Sequence, residues 1–303
     1  MPKLISNLVR KQISLLSPLL DRMELDAYRK FRDALGALGA VVLAGAVAYE
    51  DQPMENCECA WALPADPADG RAILYLHGGA YTCGTLAYAR GFGGVLAELT
   101  QYRTLCVGYR LAPEHPFPAA VDDALAVVGA VLAGDTGLRI DTGRVAVAGD
   151  SAGGNLAAVV AQQLRGHSPA LVHQALFYPV TDASTTDTDS YRAFGEGHGL
   201  STRDMEWFIG HYAGTADRRD PRLSPLHNPD LTGLPPATII TAGCDPLASE
   251  GRAYGRALVK AGTRASVIEF PGQMHAFLDL GALLDDALTA RRLVAGELRA
   301  AFA

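Results

Sequence analysis

The sequence predicts an α/β fold in which a mainly parallel sheet is covered by helices on both faces. Short apolar runs recur along the chain, and alanine-rich stretches with helical periodicity separate most of them. Apolar runs of this kind are typical of strands buried on both faces. Helices between successive strands favour parallel pairing.

Six runs have the length and composition of buried strands, and they span residues 72–76, 104–109, 144–149, 175–179, 237–243 and 265–270. Three intervening stretches predict helices, at Phe117–Ala133, Gly154–Leu164 and Glu250–Ala261. An earlier stretch, "CECAWAL", alternates loosely and is interpreted as an exposed strand.

The interval 181–234 interrupts this alternation because it contains no strand pattern. It is polar at first, then aromatic in "MEWFIGHY", and then rich in Pro, Asp and Arg. A long insertion between two buried strands is typical of a functional lid or cap. The sequence therefore predicts an N-terminal helical part of the cap at 1–45, a cap insertion at 181–234, and a main α/β domain at 46–180 and 235–303.

The N-terminal residues are amphipathic, with helical spacing at Leu4, Leu8, Ile13, Leu16 and Leu20. This pattern does not fit a signal peptide. The uncharged run Ala34–Ala48 is shorter than the ~20 residues that span a bilayer, so we interpret it as a buried helix end leading into a strand. We expect a cytoplasmic protein without integral membrane association.

The composition excludes several classes of function. The net charge is −7 and no basic stripe occurs, which argues against a nucleic-acid partner. The five cysteines are scattered. Cys57 and Cys59 flank only Glu58, and no second Cys or His pair at metal-ligand spacing accompanies them. We expect reduced thiols, with neither a metal site nor a disulfide framework.

The stretch "VAVAGDSAGGNLAAVV" contains the pattern G-x-S-x-G at residues 149–153, with a predicted strand before it and a helix after it. That context predicts a nucleophile elbow, in which a sharp turn exposes the Ser151 hydroxyl. The alternative is a glycine-rich turn with an ordinary surface serine. Residues elsewhere in the chain must supply a base and its orienting acid.

His275 follows the last predicted strand, and Asp245 follows the strand 237–243. The carboxyl ends of parallel strands meet at one edge, so both should lie near Ser151. The order Ser, Asp, His along the chain is the order of an α/β-hydrolase. Asp150 is the competing carboxylate, but its neighbouring position favours bracing of the loop.

The motif "HGGAY" at residues 77–81 follows the strand 72–76, where an α/β-hydrolase places the loop that binds the oxyanion. Small residues let backbone N–H groups converge on one point. The predicted oxyanion hole contains Gly78, Gly79, Ala80 and Ala152, of which the last three are the chosen donors. For His77 a structural hydrogen bond is preferred.

Seven blocks together resemble the bacterial hormone-sensitive lipase family (family IV) of α/β-hydrolase esterases, over roughly residues 72–280. They are "HGGAY", "YRLAPEHPFPAAVDDA", "GDSAGGNLA", "YPVTD", "DPRLSPL", "LPPATIITAGCDPL" and "FPGQMHAF". The resemblance implies an eight-stranded, mostly parallel sheet with a helical cap. It also implies a cofactor-free carboxylesterase that acts on short- to medium-chain acyl esters through an acyl-enzyme.

The resemblance assigns the nucleophile to Ser151, the acid to Asp245 and the base to His275. Two positions depart from the family pattern, because Ala80 and Ala276 stand where glycines are usual. An alanine suits such a loop only where φ stays negative.

Further expectations concern the substrate and the partners. Tyr81, Phe208 and Tyr212 are candidates for the acyl or alcohol site, although aromatic residues at helical spacing also fit a cap core. The partners implied are a small ester and a second copy of the chain, because relatives dimerise through the last strand. A receptor-like binder with a degraded triad and a lyase with an altered oxyanion loop are the alternatives. The complete triad opposes the first, and only Ala80 favours the second.

Overall fold

The computed structural model describes residues 24–30, 47–67, 70–281 and 283–303. Eight strands form one sheet in the order β1-β2-β4-β3-β5-β6-β7-β8. Their bounds are β1 Ala48–Asp51, β2 Glu58–Leu63, β3 Ala72–Leu76, β4 Arg103–Gly108, β5 Val145–Asp150, β6 His173–Phe177, β7 Ala237–Cys244 and β8 Ala265–Met274. Strand β2 runs antiparallel to β1 and β4 and all other pairs are parallel, so the predicted fold class is confirmed.

Among the described residues from 47 onward, five α-helices flank the sheet and two lie in the insertion. Those of the main domain are α1 Leu86–Thr100, α2 Ala119–Ala133, α3 Ala152–Gln163, α6 Ala248–Lys260 and α7 Asp285–Ala301. The insertion holds α4 Asp189–Phe194, α5 Thr202–Ala213 and a short 3₁₀ turn at Pro225–His227. No strand occurs in the interval 181–234, all of which is described.

Alternation along the central strands divides the core into two layers. On β3, Leu74 and Leu76 face a cluster with apolar residues of α2, α3 and α6. Ile73 and Tyr75, one position out of phase, face the cluster formed with α1 and α7. Because successive strand residues point to opposite faces, an unbroken apolar run such as "AILYL" fills both layers.

The stretch "CECAWAL" forms a strand as predicted, but the prediction that this strand is exposed is wrong. Cys59, Trp61 and Ala62 are almost completely buried. The reason is that β2 lies between β1 and β4, with a core cluster on each face. Strand β1 begins at Ala48, the end of the run interpreted from the sequence as leading into a strand, and its four residues are all exposed at the sheet edge.

The expectations for the N-terminal region fall largely outside the described residues. The helical positions Leu4 to Leu20 and most of the run Ala34–Ala48 belong to this group. Residues 25–30 are helical, and the Tyr28 ring lies 5.5 Å from that of Phe208 on α5. In the described part of the chain, no helix combines the length and apolarity that crossing a bilayer requires.

Candidate active site

Ser151 lies at the tip of the sharp turn between β5 and α3, with φ 54° and ψ −118°. This left-handed backbone is strained for a residue with a Cβ atom. Three hydrogen bonds hold it. The Ser151 N–H donates to the Phe177 carbonyl at 2.8 Å, and the Ser151 carbonyl accepts from the N–H groups of Asn155 at 3.0 Å and Val180 at 3.2 Å. The turn therefore presents the hydroxyl at the carboxyl edge of the sheet.

The two glycines of the G-x-S-x-G pattern allow the close packing beneath this turn. A Cβ on Gly153 would lie 2.0 Å from the Leu76 carbonyl oxygen, and one on Gly149 would lie 2.2 Å from that of Gly153. Both distances are far below van der Waals contact, so only glycine fits. Helix α3 can thus begin directly against the end of β3, where the "HGGAY" loop starts.

The structure brings Ser151, His275 and Asp245 into one hydrogen-bonded chain. The His275 Nε2 atom lies 2.9 Å from the Ser151 Oγ, and the His275 Nδ1 atom lies 2.8 Å from an Asp245 carboxylate oxygen. Asp245 directly follows β7 and is fully buried, and His275 directly follows β8. This arrangement can move a proton from the serine to the imidazole, while the carboxylate fixes the tautomer.

Asp150, the other carboxylate beside the serine, is hydrogen-bonded to β3 and the loop that follows it. The Tyr75 hydroxyl donates to it at 2.5 Å, and the Gly78 N–H donates to the same oxygen at 2.7 Å. The N–H of Gly78 is therefore occupied. Gly78, which the sequence places in the predicted oxyanion hole without choosing it as a donor, thus anchors the loop to Asp150.

Burial raises the pKa of Asp150 from its ordinary value of 3.8 to about 7, with the Asp279 charge as the second cause. The folded protein thus keeps this proton at pH values where the unfolded chain has lost it. The contribution of Asp150 to the free energy of unfolding should fall between pH 4 and pH 7, and stay constant above pH 7.

Asp150→Asn keeps an oxygen that accepts both hydrogen bonds but removes the titration. Urea unfolding of both proteins at pH 4.5 and pH 8 should show that the wild type loses more stability than the variant as pH rises. We expect a difference on the order of a few kcal/mol. Equal changes in the free energy of unfolding of the two proteins between these pH values would contradict the raised pKa of Asp150.

The "HGGAY" loop adopts an unusual backbone at three consecutive residues. Gly79, Ala80 and Tyr81 have φ of 121°, 52° and 62°. Ala80 therefore does not have the negative φ that an alanine favours. Ala276, the other alanine at a position where the family usually has glycine, also has a positive φ, of 61°. The Gly79 carbonyl accepts from two N–H groups further along the loop, at 3.1 and 2.9 Å. These bonds hold the strained turn.

The remaining donors are unused among the described residues. No hydrogen bond there engages the N–H of Gly79, Ala80 or Ala152. Ala152 is the first residue of α3, where the N–H groups lack partners within the helix. These three N–H groups are free to bind an anionic oxygen.

The contacts of His77 are those of a residue that stabilises the loop. It is buried, its Nδ1 atom lies 2.6 Å from the Gly78 carbonyl oxygen, and its ring stacks on Tyr109 at 4.3 Å. The Tyr109 hydroxyl also donates to the His77 carbonyl at 2.6 Å. Burial lowers the pKa of His77 to about 4, so the ring is neutral at pH 7.

The three aromatic pocket candidates are all nearly buried. Tyr81 and Tyr212 stack face to face at 3.8 Å, which joins the loop at β3 to helix α5 of the insertion. Phe208, one turn earlier on α5, contacts Tyr28. These contacts form a packed junction between the insertion and the loop, and a contact with substrate stays a prediction.

Sequence reasoning did not identify Arg29, which ties the N-terminal segment to this junction. Its guanidinium donates to the carbonyls of Thr82 and Ala112, each at 2.7 Å. It also forms a two-pronged ion pair with Glu114 at 2.7 Å. No local pattern could have indicated these contacts, because the partners lie more than fifty residues along the chain.

A second Ser, His and Asp cluster also escaped sequence reasoning. His227 Nε2 lies 3.0 Å from Asp182 and 3.2 Å from the Ser184 hydroxyl oxygen. The Ser184 hydroxyl donates directly to Asp182 at 2.6 Å. In a triad the base lies between serine and acid, so this cluster has the wrong connectivity for a nucleophile.

Comparison with known proteins agrees with this geometry. A family model described as alpha/beta hydrolase fold matches residues 73–279. The chain is similar to an ethyl acetate hydrolase of Pseudomonas putida, with 41% identity over 228 residues, 73% of this chain and 71% of the relative. It is also similar to the carboxylesterase NlhH of Mycobacterium tuberculosis, with 36% identity over 72% of this chain and 70% of the relative.

Solved structures extend the similarity to nearly the whole chain. A hyperthermophilic esterase from the archaeon Pyrobaculum calidifontis superposes with a TM-score of 0.87 at 31% identity, covering 97% of both chains. A thermostable carboxylesterase cloned from a metagenomic library gives a TM-score of 0.87 at 32% identity, over 93% of this chain and 98% of the other.

Proposed function

This chain belongs to the hormone-sensitive lipase family of α/β-hydrolase carboxylesterases, and on that premise we propose that it cleaves esters with Ser151, His275 and Asp245. The observation that carries the proposal is the continuous chain from Ser151 Oγ through His275 to Asp245, with links of 2.9 and 2.8 Å. A serine so placed has both a base and an orienter for that base.

The mechanism follows from the position of each group. His275 accepts the Ser151 proton as the oxygen attacks the ester carbonyl carbon. The N–H groups of Gly79, Ala80 and Ala152 stabilise the negative oxygen of the tetrahedral intermediate. His275 then protonates the departing alcohol, which leaves an acyl-enzyme. Water, deprotonated by His275, hydrolyses the acyl-enzyme and regenerates the serine.

The substrate class that we propose is small esters with short to medium acyl chains. Two features support it. The named substrate of the P. putida relative, ethyl acetate, is a small ester, and the stacked Tyr81 and Tyr212 rings hold the cap close to the oxyanion loop. A cap that closes over the reacting carbonyl limits the acyl length that the site accepts.

A series of p-nitrophenyl esters of increasing chain length tests this substrate class. We expect kcat/KM to fall beyond roughly six to eight acyl carbons, because longer chains cannot fit under a closed cap. Emulsified long-chain triglycerides test substrates whose acyl chains are much longer than this limit. Undiminished activity on such emulsions would contradict the short-chain assignment and would favour a lipase.

We also propose that the cap consists of residues 1–45 and 181–234 and covers a catalytic domain formed by 46–180 and 235–303. The Tyr28 contact with Phe208 supports a cap built from both segments. The Arg29 bonds to the "HGGAY" loop region at Thr82 support its attachment near the site. The proposed location is the cytoplasm, where scattered cysteines such as these five stay reduced.

A homodimer through strand β8 is the proposed assembly. Strand β8 is the last in the sheet order, and its residues are mostly exposed, including Val267 at 39%. An open edge of this length can pair with a second copy.

Light scattering should give twice the chain mass, and Val267→Lys should shift the protein toward monomer. A monomeric wild type at all concentrations would contradict the dimer.

A further inference from the structure

Cys57 and Cys59, at the start of β2, place two thiol groups in contact outside the proposed active site. Their sulfur atoms lie 3.8 Å apart and share a hydrogen bond. Cys59 lies on β2, and Cys57 lies in the bend directly before it. The backbone around them is fixed, since Met54 N–H donates to the Cys57 carbonyl at 3.1 Å and Gln52 N–H to that of Cys59 at 2.8 Å.

The two thiols differ in exposure and in acidity. Cys57 is partly exposed, whereas Cys59 is 2% exposed. The hydrogen bond from Cys59 lowers the pKa of Cys57. The same bond, together with burial, raises the pKa of Cys59 well above its usual range. Cys57 is thus the more accessible and more acidic thiol, and Cys59 is the buried thiol beside it, the arrangement of an attacking and a resolving cysteine.

A small reagent has access to Cys57. The thiol lines a surface cavity of about 430 Å³, whose other walls include Pro53, Met54, Asn56, His77 and Tyr109. Elsewhere in the chain, the Cys83 sulfur contacts the Thr82 hydroxyl, and those of Cys106 and Cys244 contact backbone carbonyl oxygens.

We propose that Cys57 and Cys59 form a redox site that a hydroperoxide oxidises to an intramolecular disulfide. The Cys57 thiolate attacks the terminal peroxide oxygen and breaks the O–O bond, which gives Cys57 sulfenic acid and expels hydroxide or an alkoxide. This anion takes up the proton that the Cys57 thiol had released to solvent, and leaves as water or an alcohol. The Cys59 sulfur then attacks the sulfenic sulfur. Its proton leaves with the displaced hydroxide as water, and the S–S bond forms. The two thiols lose two electrons and the peroxide gains them.

Hydrogen peroxide titration of the whole protein, followed by intact mass and peptide mapping, tests the site. The expected product is about 2 Da lighter, with a disulfide linking Cys57 and Cys59, and dithiothreitol should reverse the change. A product with no such loss of mass, or with a disulfide elsewhere, overturns the proposal. The rate of p-nitrophenyl acetate hydrolysis before oxidation confirms that each variant is folded.

Three variants separate the attacking thiol from the resolving thiol. Cys59→Ser should stop at the sulfenic acid, about 16 Da heavier and trapped by dimedone at Cys57. Cys57→Ser should show neither change at the same peroxide dose. Cys244→Ser, the matched control at the other partly exposed cysteine, should keep the full loss of about 2 Da. Loss of the disulfide in the control, or its survival in Cys57→Ser, contradicts the assignment.

Discussion

Ser151→Ala is expected to lower kcat for p-nitrophenyl acetate by roughly 10⁶-fold, with little change in folding. The reason is that the Ser151 Oγ, the proposed nucleophile, lies 2.9 Å from the His275 Nε2 atom. Without it, the covalent route is lost, and only slow attack by water assisted by the oxyanion donors remains. The measurement is a steady-state rate, with circular dichroism to confirm the fold.

Ser184→Ala is the matched control, because Ser184 also lies within hydrogen-bond distance of a histidine and an aspartate. Its hydroxyl is bonded directly to the acid, so it lacks a base positioned to activate it. We expect a rate close to that of the wild type. A large loss in Ser184→Ala combined with near-native activity in Ser151→Ala would move the nucleophile to the second cluster.

Asp245→Asn is expected to lower kcat by about 10⁴-fold. The change keeps the shape of the side chain, but its amide can donate to His275 Nδ1 and thereby stabilise the wrong tautomer. The imidazole would then carry its proton on Nε2, the atom that must accept the proton of Ser151. Because Asp245 is fully buried, no solvent can substitute for the missing charge.

Asp182→Asn makes the same chemical change in the other carboxylate and histidine pair, where His227 Nε2 lies 3.0 Å from Asp182. This pair has no serine on the far side of the imidazole, so we expect no comparable effect on kcat. The comparison is made from full rate curves, which separate kcat from KM. Equal losses in the two variants would mean that Asp245 does not act through tautomer control.

The sheet and the meeting of Ser151, Asp245 and His275 could be predicted because both follow from simple periodicities. Buried parallel strands have sequences that are continuous apolar runs. The residues that follow each run lie at the carboxyl edge of the sheet. Asp245 and His275 directly follow two such runs, so their meeting with Ser151 follows from the order of the strands. The observed bonds among the three agree with that expectation.

Other features could not be predicted because they depend on contacts between distant segments or on backbone angles. Arg29 meets Thr82 and Ala112 only after folding. The positive φ of Ala80 is set by the bonds around the loop, against the preference of the residue itself. The use of the Gly78 N–H by Asp150 depends on the direction of a buried carboxylate, which no spacing reveals.

The most direct test of the central claim is covalent labelling with a p-nitrophenyl alkylphosphonate, which phosphonylates an activated serine. Peptide mapping should find one phosphonyl group per chain, on Ser151, and the loss of esterase activity should follow its incorporation in equal proportion. Ser151→Ala should remain unlabelled. A label on Ser184 or on any other residue, or activity that survives complete labelling of Ser151, would contradict the account.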